Sequence, residues 1–239
     1  MAKFVLKGVT EKDLEGSTLV TGFRTIGEVG YLAVRHIALS GSFERVGFIE
    51  TKYIRDVVSV DDYGVAAPFE IFFNRENKIV LILNHILPYQ REWNSFTRSI
   101  VDWMKKLGIK EGIYIGGLDR RYSDGTSKLR WLKTSASGRN LSYPYMEKQL
   151  FIVGPLALLT LYSEIKEFPA VVLLPYADRD RTDPAAAATA VEVVNELLGI
   201  RVETSMLYEE AKKIEEELQK QMELLQKELF RGGSERIYM

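Results

Sequence analysis

The sequence predicts an α/β fold: a layered sandwich with a mostly parallel central sheet, followed by a long C-terminal helix. Strand-like and helix-like segments alternate through the first two thirds of the 239 residues, which is typical of a sheet covered by helices. Residues 170–176 (AVVLLPY) form the most strand-like run of the chain. Residues 204–230 instead carry apolar side chains at helical spacing among many charges, which predicts one long amphipathic helix.

The composition is that of a soluble globular protein, with 46% hydrophobic and 27% charged residues. The 32 basic residues nearly balance the 33 acidic ones, so we expect no nucleic-acid partner, because such binding depends on an excess of basic residues. Cysteine is absent, which excludes disulfides, thiol nucleophiles and Cys-ligated metals. No apolar run of about 18 residues predicts a membrane span, and the charged N-terminal segment is unlike a signal peptide. We therefore expect a cytoplasmic protein without a membrane partner, and the residue usage is typical of a thermophile.

The first half of the chain predicts four strands and one helix. The helix follows the first strand, has an apolar face at helical spacing and ends at Gly41. Turn residues 74–77 separate the last two strands, which we expect to form a hairpin or to lie side by side. The predicted strands are residues 17–23, 45–51, 69–73 and 78–84. The apolar face of the helix is formed by Ile26, Val29, Ala33 and Ile37.

The second half continues the alternation of strands and helices. A polar, turn-rich excursion of unknown role occupies residues 119–145, with one candidate strand at 129–134. Asp183 is placed to cap the last helix of the alternating part, Pro184 fits its first position, and Gly199 ends it. The further predicted strands are residues 113–118, 149–153 and 170–176. The predicted helices are residues 91–107, 154–165 and 184–198.

We divide the chain into an α/β domain of residues 1–200, a helix of residues 204–230 and a tail of residues 231–239. The helix would be about 40 Å long at 1.5 Å per residue. Its apolar stripe repeats every 11 residues, so the stripe runs almost straight along the helix. The stripe either packs on the chain's own domain or mediates oligomerisation or docking, and we favour the second because so long a charged helix would overhang its domain. The stripe consists of Leu207, Ala211, Ile214, Leu218, Met222, Leu225 and Leu229.

The last three residues, Ile237, Tyr238 and Met239, form the most specific pattern of the sequence. They match the hydrophobic–tyrosine–any-residue motif with which proteasome activators and assembly factors dock on the proteasome α-ring. In that docking a lysine pairs with the terminal carboxylate, the tyrosine supplies an aromatic ring with a polar hydroxyl, and the hydrophobic residue fills a groove. We expect Gly232 and Gly233 to break the helix and act as a hinge. The alternative is a frayed terminus without function.

Longer segments resemble the proteasome assembly chaperone family. Residues 168–200 (FPAVVLLPYADRDRTDPAAAATAVEVVNELLGI) resemble the family's strand, acidic turn and Asp-Pro-Ala-Ala helix start. Residues 18–37 (TLVTGFRTIGEVGYLAVRHI) resemble its strand-to-helix crossing, as do IYIGGL and IVGPLALLTLY later in the chain. The resemblance spans about residues 16–218, and with the composition and the tail it suggests an archaeal member.

This resemblance implies a phosphorylase/hydrolase-like α/β fold, no known catalysis and no cofactor. For archaeal members it implies a homo-oligomer that in some cases binds or activates the proteasome core particle without ATP. The docking element in such members is the C-terminal tail, here Ile237, Tyr238 and Met239.

Two clusters near predicted strand ends are candidate ligand sites. Gly22, Gly27 and Gly30 have the spacing G-x4-G-x2-G, which matches neither a dinucleotide fingerprint nor a phosphate loop. We expect these glycines to allow close helix–sheet packing. Arg120 and Arg121 follow a glycine turn, and they either hold an anion or belong to a plain surface loop.

The acidic and histidine residues also favour structural roles. Asp178, Asp180 and Asp183 alternate with arginines, so we expect ion pairs and a helix cap rather than a metal site. His36 and His85 are the two histidines of the chain. We expect neither to be catalytic, because no G-x-S-x-G nucleophile motif accompanies them.

The sequence therefore predicts a non-enzymatic, homo-oligomeric, proteasome-assembly-chaperone-like protein. Its expected partners are further copies of itself, the α-subunits of the proteasome core particle and another small protein. One alternative is an oligomeric scaffold that assembles with another protein and does not use the proteasome. A third hypothesis is a small-molecule enzyme with its site at residues 116–121.

Overall fold

The computed structural model describes the backbone of residues 2–234 and the side chains of residues 2–224. Eleven strands and five α-helices lie in this range. The strands are β1 (Lys3–Leu6), β2 (Thr18–Gly22), β3 (Glu44–Glu50), β4 (Ser59–Asp61), β5 (Gly64–Ala66), β6 (Phe69–Asn74), β7 (Ile79–Asn84), β8 (Glu111–Ile115), β9 (Leu118–Asp119), β10 (Leu129–Lys133) and β11 (Ala170–Ala177). The helices are α1 (Val29–Ala38), α2 (Trp93–Lys106), α3 (Pro155–Ile165), α4 (Pro184–Leu198) and α5 (Ser205–Ser234).

Nine of these strands form one mixed sheet in the order β1-β3-β6-β7-β2-β8-β11-β10, with β9 beside β11. The centre is parallel, because β2 lies between β7 and β8 in parallel register and β11 continues in parallel beyond β8. Antiparallel pairs extend both edges, including the predicted β6–β7 hairpin. The sequence prediction of an α/β fold with a C-terminal helix is confirmed. Strands β4 and β5 form a separate hairpin that is not among the predicted strands.

Helices cover both faces of the sheet, since alternate residues of each central strand join different cores. Val171 and Leu173 of β11 pack with α1 and α4, whereas Val172 and Leu174 pack with α2 and α3. Strands buried on both faces require continuous apolar runs, and β7 and β11 have them. The chain is therefore a three-layered α/β/α body.

The predicted strand at residues 149–153 is wrong. These residues form an irregular segment before α3, and Phe151 and Val153 expose 86% and 74% of their surface. Gln149 has a φ of 72°, a left-handed conformation that turns the chain just before the run could extend. The edge strand β10 instead bridges to Tyr145 through Trp131.

Two helix ends differ from their predicted positions. Helix α1 begins at Val29, not near residue 24, because Gly27 and Glu28 have φ values of 60° and 51°. Helix α5 continues to Ser234, four residues beyond the predicted end, so the expected break at Gly232 and Gly233 is wrong. Glycine costs about 1 kcal/mol per helical position relative to alanine but keeps its N–H donor, so two glycines weaken a helix without ending it.

Candidate functional site

The base of α5 is fastened to the α/β body. Leu207 is buried in the core formed with α1 and α4. The Asn195 side chain exchanges two hydrogen bonds with the backbone of Val202, at 2.9 and 3.1 Å. The Tyr208 hydroxyl donates to a Glu192 carboxylate oxygen at 2.8 Å. These contacts fix the direction in which α5 leaves the body.

The predicted apolar stripe of α5 divides into an anchored part and an exposed part. Leu207 is buried and Ala211 and Ile214 are half-buried, whereas Leu218 and Met222 expose 37% and 56% of their surface. The side chains of Leu225 and Leu229 lie outside the described residues. All described side chains from residue 215 to residue 224 are exposed. The 20 residues from 215 to 234 span about 30 Å, so α5 projects from the domain.

The predicted docking residues Ile237, Tyr238 and Met239 also lie outside the described residues. The two predicted hinge glycines, Gly232 and Gly233, lie in the last turn of α5. The docking role of the tail therefore stays a prediction.

The glycine cluster at the crossing of β2 and α1 has the packing role that was predicted. A Cβ atom on Gly22 would lie 2.5 Å from the Gly30 Cα, and one on Gly30 would lie 2.3 Å from the Ile115 carbonyl oxygen. Only glycine permits this approach of α1 to the parallel strands.

Arg120 and Arg121 are engaged with carboxylates and not arranged as an anion pocket. Arg120 Nη2 pairs with an Asp183 oxygen at 2.6 Å. Arg121 donates to both oxygens of Asp119 through its side chain, and these hydrogen bonds lower the pKa of Asp119 to about 2. The other oxygen of Asp183 accepts from the Ala186 N–H at 3.0 Å as the predicted cap of α4.

A buried charged network that the sequence interpretation missed lies beside the carboxyl ends of β2 and β7. The Glu70 carboxylate is fully buried and accepts four hydrogen bonds. Oε1 accepts from Arg45 Nη1 at 2.8 Å and from the Ala67 N–H at 3.2 Å. Oε2 accepts from the Tyr63 hydroxyl and from His85 Nε2, the latter at 2.9 Å. Each lone pair of the carboxylate thus has a donor.

The electrostatics of this network follow from its burial and its hydrogen bonds. Burial alone would raise the pKa of Glu70, but the donors from His85, Tyr63, Ala67 and Arg45 outweigh it and hold the pKa below the usual value. Burial and the bond to Glu70 raise the pKa of Tyr63 well above its usual range. Glu70 is therefore ionised and Tyr63 neutral at pH 7.

His85 also lines a cavity of about 400 Å³ at this end of the sheet. Arg24 and Arg35 lie in its wall with Tyr31, Ser59 and Asp61. Apolar side chains from the β4–β5 region, Pro68 and Ile86 also line it. Arg35 holds Asp61 of β4 through two hydrogen bonds of 2.6 and 2.8 Å. The cavity is therefore closed on one side by a hairpin tied to α1.

The described part of the chain lacks two kinds of feature. Between residues 2 and 234, no helix is long and apolar enough to cross a membrane. In the same part of the chain, no three His, Asp or Glu side chains are arranged to hold a metal ion.

Comparison with known proteins gives a consistent family and fold. The model of the PAC2 family matches residues 19–222. Pyrococcus furiosus PbaA, an archaeal homologue of proteasome-assembly chaperone, is 23% identical with a TM-score of 0.77, covering 100% of this chain and 99% of its own. P. furiosus PbaB, an archaeal proteasome activator, is 19% identical with a TM-score of 0.75, covering 92% and 98%.

A Mycobacterium tuberculosis proteasome-assembly chaperone homologue is 18% identical with a TM-score of 0.63, covering 85% of this chain and 94% of its own. No curated protein matches the chain. At these identities the solved structures establish the fold.

Proposed function

This chain belongs to the PAC2 family, and we propose that it is a homo-oligomeric, ATP-independent proteasome-assembly-chaperone-like protein that docks its C-terminal tail on the proteasome α-ring. In this proposal the protein is cytoplasmic, archaeal and non-enzymatic. Its role is either to assist assembly of the core particle or to activate it.

The observation that carries the proposal is the projection of α5. The helix is held at its base by Leu207 and is exposed from residue 215 to residue 224. Its 20 residues from 215 to 234 span about 30 Å, so it presents whatever follows it away from the body. The three-layered body matches that of PbaB, which is described as a proteasome activator. A tail at the end of such a helix reaches a pocket on a large partner without a steric clash between the α/β body and the partner.

The chemistry of the tail fits a pocket between subunits. In the proposal, the carboxylate of Met239 pairs with a lysine of the partner, and Tyr238 packs its ring while its hydroxyl finds a polar group. Ile237 fills an apolar groove. Gly232 and Gly233 weaken the last turn of α5, so the helix end can unwind locally as the tail enters.

An oligomer strengthens such a contact through multivalency. Several tails presented together raise the apparent affinity by about 10²–10⁴ without any new kind of contact. The exposed Leu218 and Met222 offer an apolar seam along which α5 helices can pair.

The test compares two tyrosine variants in binding to purified archaeal proteasome core particle. Tyr238→Ala is expected to abolish binding, as is deletion of residues 237–239. Tyr122→Ala is the matched control, because Tyr122 is 58% exposed in a turn after β9 and is expected to bind normally. The native mass of all variants should equal that of the unchanged chain. Normal binding by Tyr238→Ala would refute the tail mechanism.

A second candidate, an oligomeric scaffold for another protein, is favoured by one observation. Exposed apolar side chains on α3 and just before it give an apolar surface away from α5. They are Phe151, Val153, Leu161 and Ile165. In a scaffold with an idle or packed tail, carboxypeptidase digestion would leave partner capture intact. In a tail-docking protein the same digestion removes binding.

A further inference from the structure

The cavity beside His85 has the dimensions and the position of a ligand site. Its volume of about 400 Å³ falls within the range of small-molecule pockets, about 300–1,000 Å³. It lies at the carboxyl ends of the parallel strands β2 and β7, where open α/β sheets bind their ligands. The tail-docking proposal makes no use of it.

The network behind the cavity selects one tautomer of the neutral His85 ring. Glu70 is ionised and can only accept hydrogen bonds, so His85 Nε2 carries a hydrogen and donates it to Glu70 Oε2 at 2.9 Å. The Tyr63 hydroxyl donates to the same oxygen. In the neutral ring Nδ1 therefore keeps its lone pair. Within residues 2–224 the structure gives Nδ1 no hydrogen-bond partner.

Two guanidinium groups face the same space with unused donors. Arg24 bonds Glu28 through Nε and Nη2 and donates from Nη1 to the His85 carbonyl oxygen at 3.2 Å. Arg35 uses Nε and Nη2 for Asp61. Since a guanidinium has five N–H donors, each arginine retains at least two. Each guanidinium is thus paired with one carboxylate, Glu28 for Arg24 and Asp61 for Arg35, and its remaining N–H groups are the donors offered to a ligand.

Ordered side chains hold these groups in place. Arg24 lies over the Tyr31 ring at 4.2 Å from its centroid, and the Tyr31 ring meets the His85 ring edge-on at 5.8 Å. His85 is only 7% exposed. The site thus combines fixed hydrogen-bond donors, one fixed acceptor and an apolar wall formed by Val57, Val60 and Ile86. Such a site distinguishes the polar end of a small ligand from its apolar end.

We propose that this cavity binds a small molecule that carries an oxyanion next to a hydroxyl group. The oxyanion, a phosphate or a carboxylate, accepts hydrogen bonds from Arg24 and Arg35. The neighbouring hydroxyl donates to His85 Nδ1, and the ligand's carbon skeleton packs on the apolar wall. Binding needs no covalent step.

The test follows the ring nitrogens of His85 by NMR while small probes are added to the full chain. The chain has two histidines, so the spectrum of a His36→Gln variant assigns His85 directly. The probes are glycerol 3-phosphate, glycerate and glycerol, which separate a phosphate ligand, a carboxylate ligand and a hydroxyl group alone. We expect the Nδ1 signal to shift with saturation on addition of one or both anions and to stay unchanged with glycerol.

Matched arginine variants locate the binding. Arg24→Ala is expected to weaken binding of the anionic probe tenfold or more, because it removes a charge-assisted donor. Arg98→Ala is the control, since Arg98 also faces an acidic residue four positions away, Asp102, but on α2 at the other face of the sheet. Its affinity should equal that of the unchanged chain.

Three outcomes would overturn the proposal. They are no saturable shift with either anion, an equal response to glycerol, or equal loss of affinity in the Arg24 and Arg98 variants. Because the readout is His85 itself, none of them depends on proteasome binding.

Discussion

The Glu70→Gln substitution is the sharpest test of the buried network. The change keeps the size of the side chain and removes its charge. Glu70 is fully buried, and its two oxygens accept from Arg45, Ala67, Tyr63 and His85. A glutamine has one acceptor oxygen, so its NH₂ group must face either the Arg45 and Ala67 pair or the Tyr63 and His85 pair.

The magnitude follows from these lost bonds. Each hydrogen bond to a charged group contributes about 1.5–3 kcal/mol, and a buried group without its partner costs more. Breaking a buried ion pair on one side costs about 3–5 kcal/mol. We expect Glu70→Gln to lower the free energy of unfolding by about 3–5 kcal/mol, a large part of the 5–15 kcal/mol that is typical of a domain.

The assay is urea unfolding followed by tryptophan fluorescence, with Glu50→Gln as the control. Glu50 pairs with Lys3 at 3.4 Å, and both side chains are more than half exposed, so this change should cost less than about 1 kcal/mol.

The cost of Glu70→Gln should also depend on pH. The pKa of Glu70 is lowered in the folded state, so the stability that its charge contributes is present above the unfolded pKa of about 4.3 and is lost as pH falls through the folded value. The gap between the unchanged chain and Glu70→Gln should therefore narrow in acid. Equal costs of the Glu70 and Glu50 substitutions at pH 7 would refute the network.

Three further predictions concern packing and assembly. Gly30→Ala should lower the free energy of unfolding by about 1–3 kcal/mol in denaturant unfolding, because the added Cβ would lie 2.3 Å from the Ile115 carbonyl oxygen. The control Gly138→Ala adds a Cβ into open space and should leave the free energy of unfolding unchanged. Leu207→Ala should cost about 2–4 kcal/mol and increase hydrogen exchange at the base of α5, whereas unchanged exchange would mean that Leu207 does not anchor the helix. The double change Ile214→Asp with Leu218→Asp should lower the native mass measured by light scattering, and an unchanged oligomer would exclude α5 as the assembly element.

Local signals predicted most of the fold. Helix α4 spans residues 184–198 as predicted, because Asp183, Pro184 and Gly199 act within one turn of its ends. Strand 170–176 was predictable from its continuous apolar run, since it is buried on both faces. The edge strand β1 and the β4–β5 hairpin were not predicted as strands, because short edge strands depend on their neighbours more than on their own residues.

The missed parts depend on contacts between residues distant in the sequence. Residues 149–153 have the composition of a strand but no neighbouring strand to pair with. The Glu70–His85 contact joins residues 15 positions apart across the β6–β7 hairpin. One sequence signal was available: Glu70 is a charged residue inside the apolar run of β6, and a buried charge requires a partner.

The most direct test of the proposed function measures binding and peptide hydrolysis with purified archaeal proteasome core particle, using the full chain and a chain ending at residue 235. The proposal predicts that the full chain binds and that the shortened chain does not, with the same native mass for both. Stimulated hydrolysis by the full chain would assign it as an activator, and binding without stimulation would assign it to assembly. Equal binding by both chains, or binding by neither, would contradict tail docking.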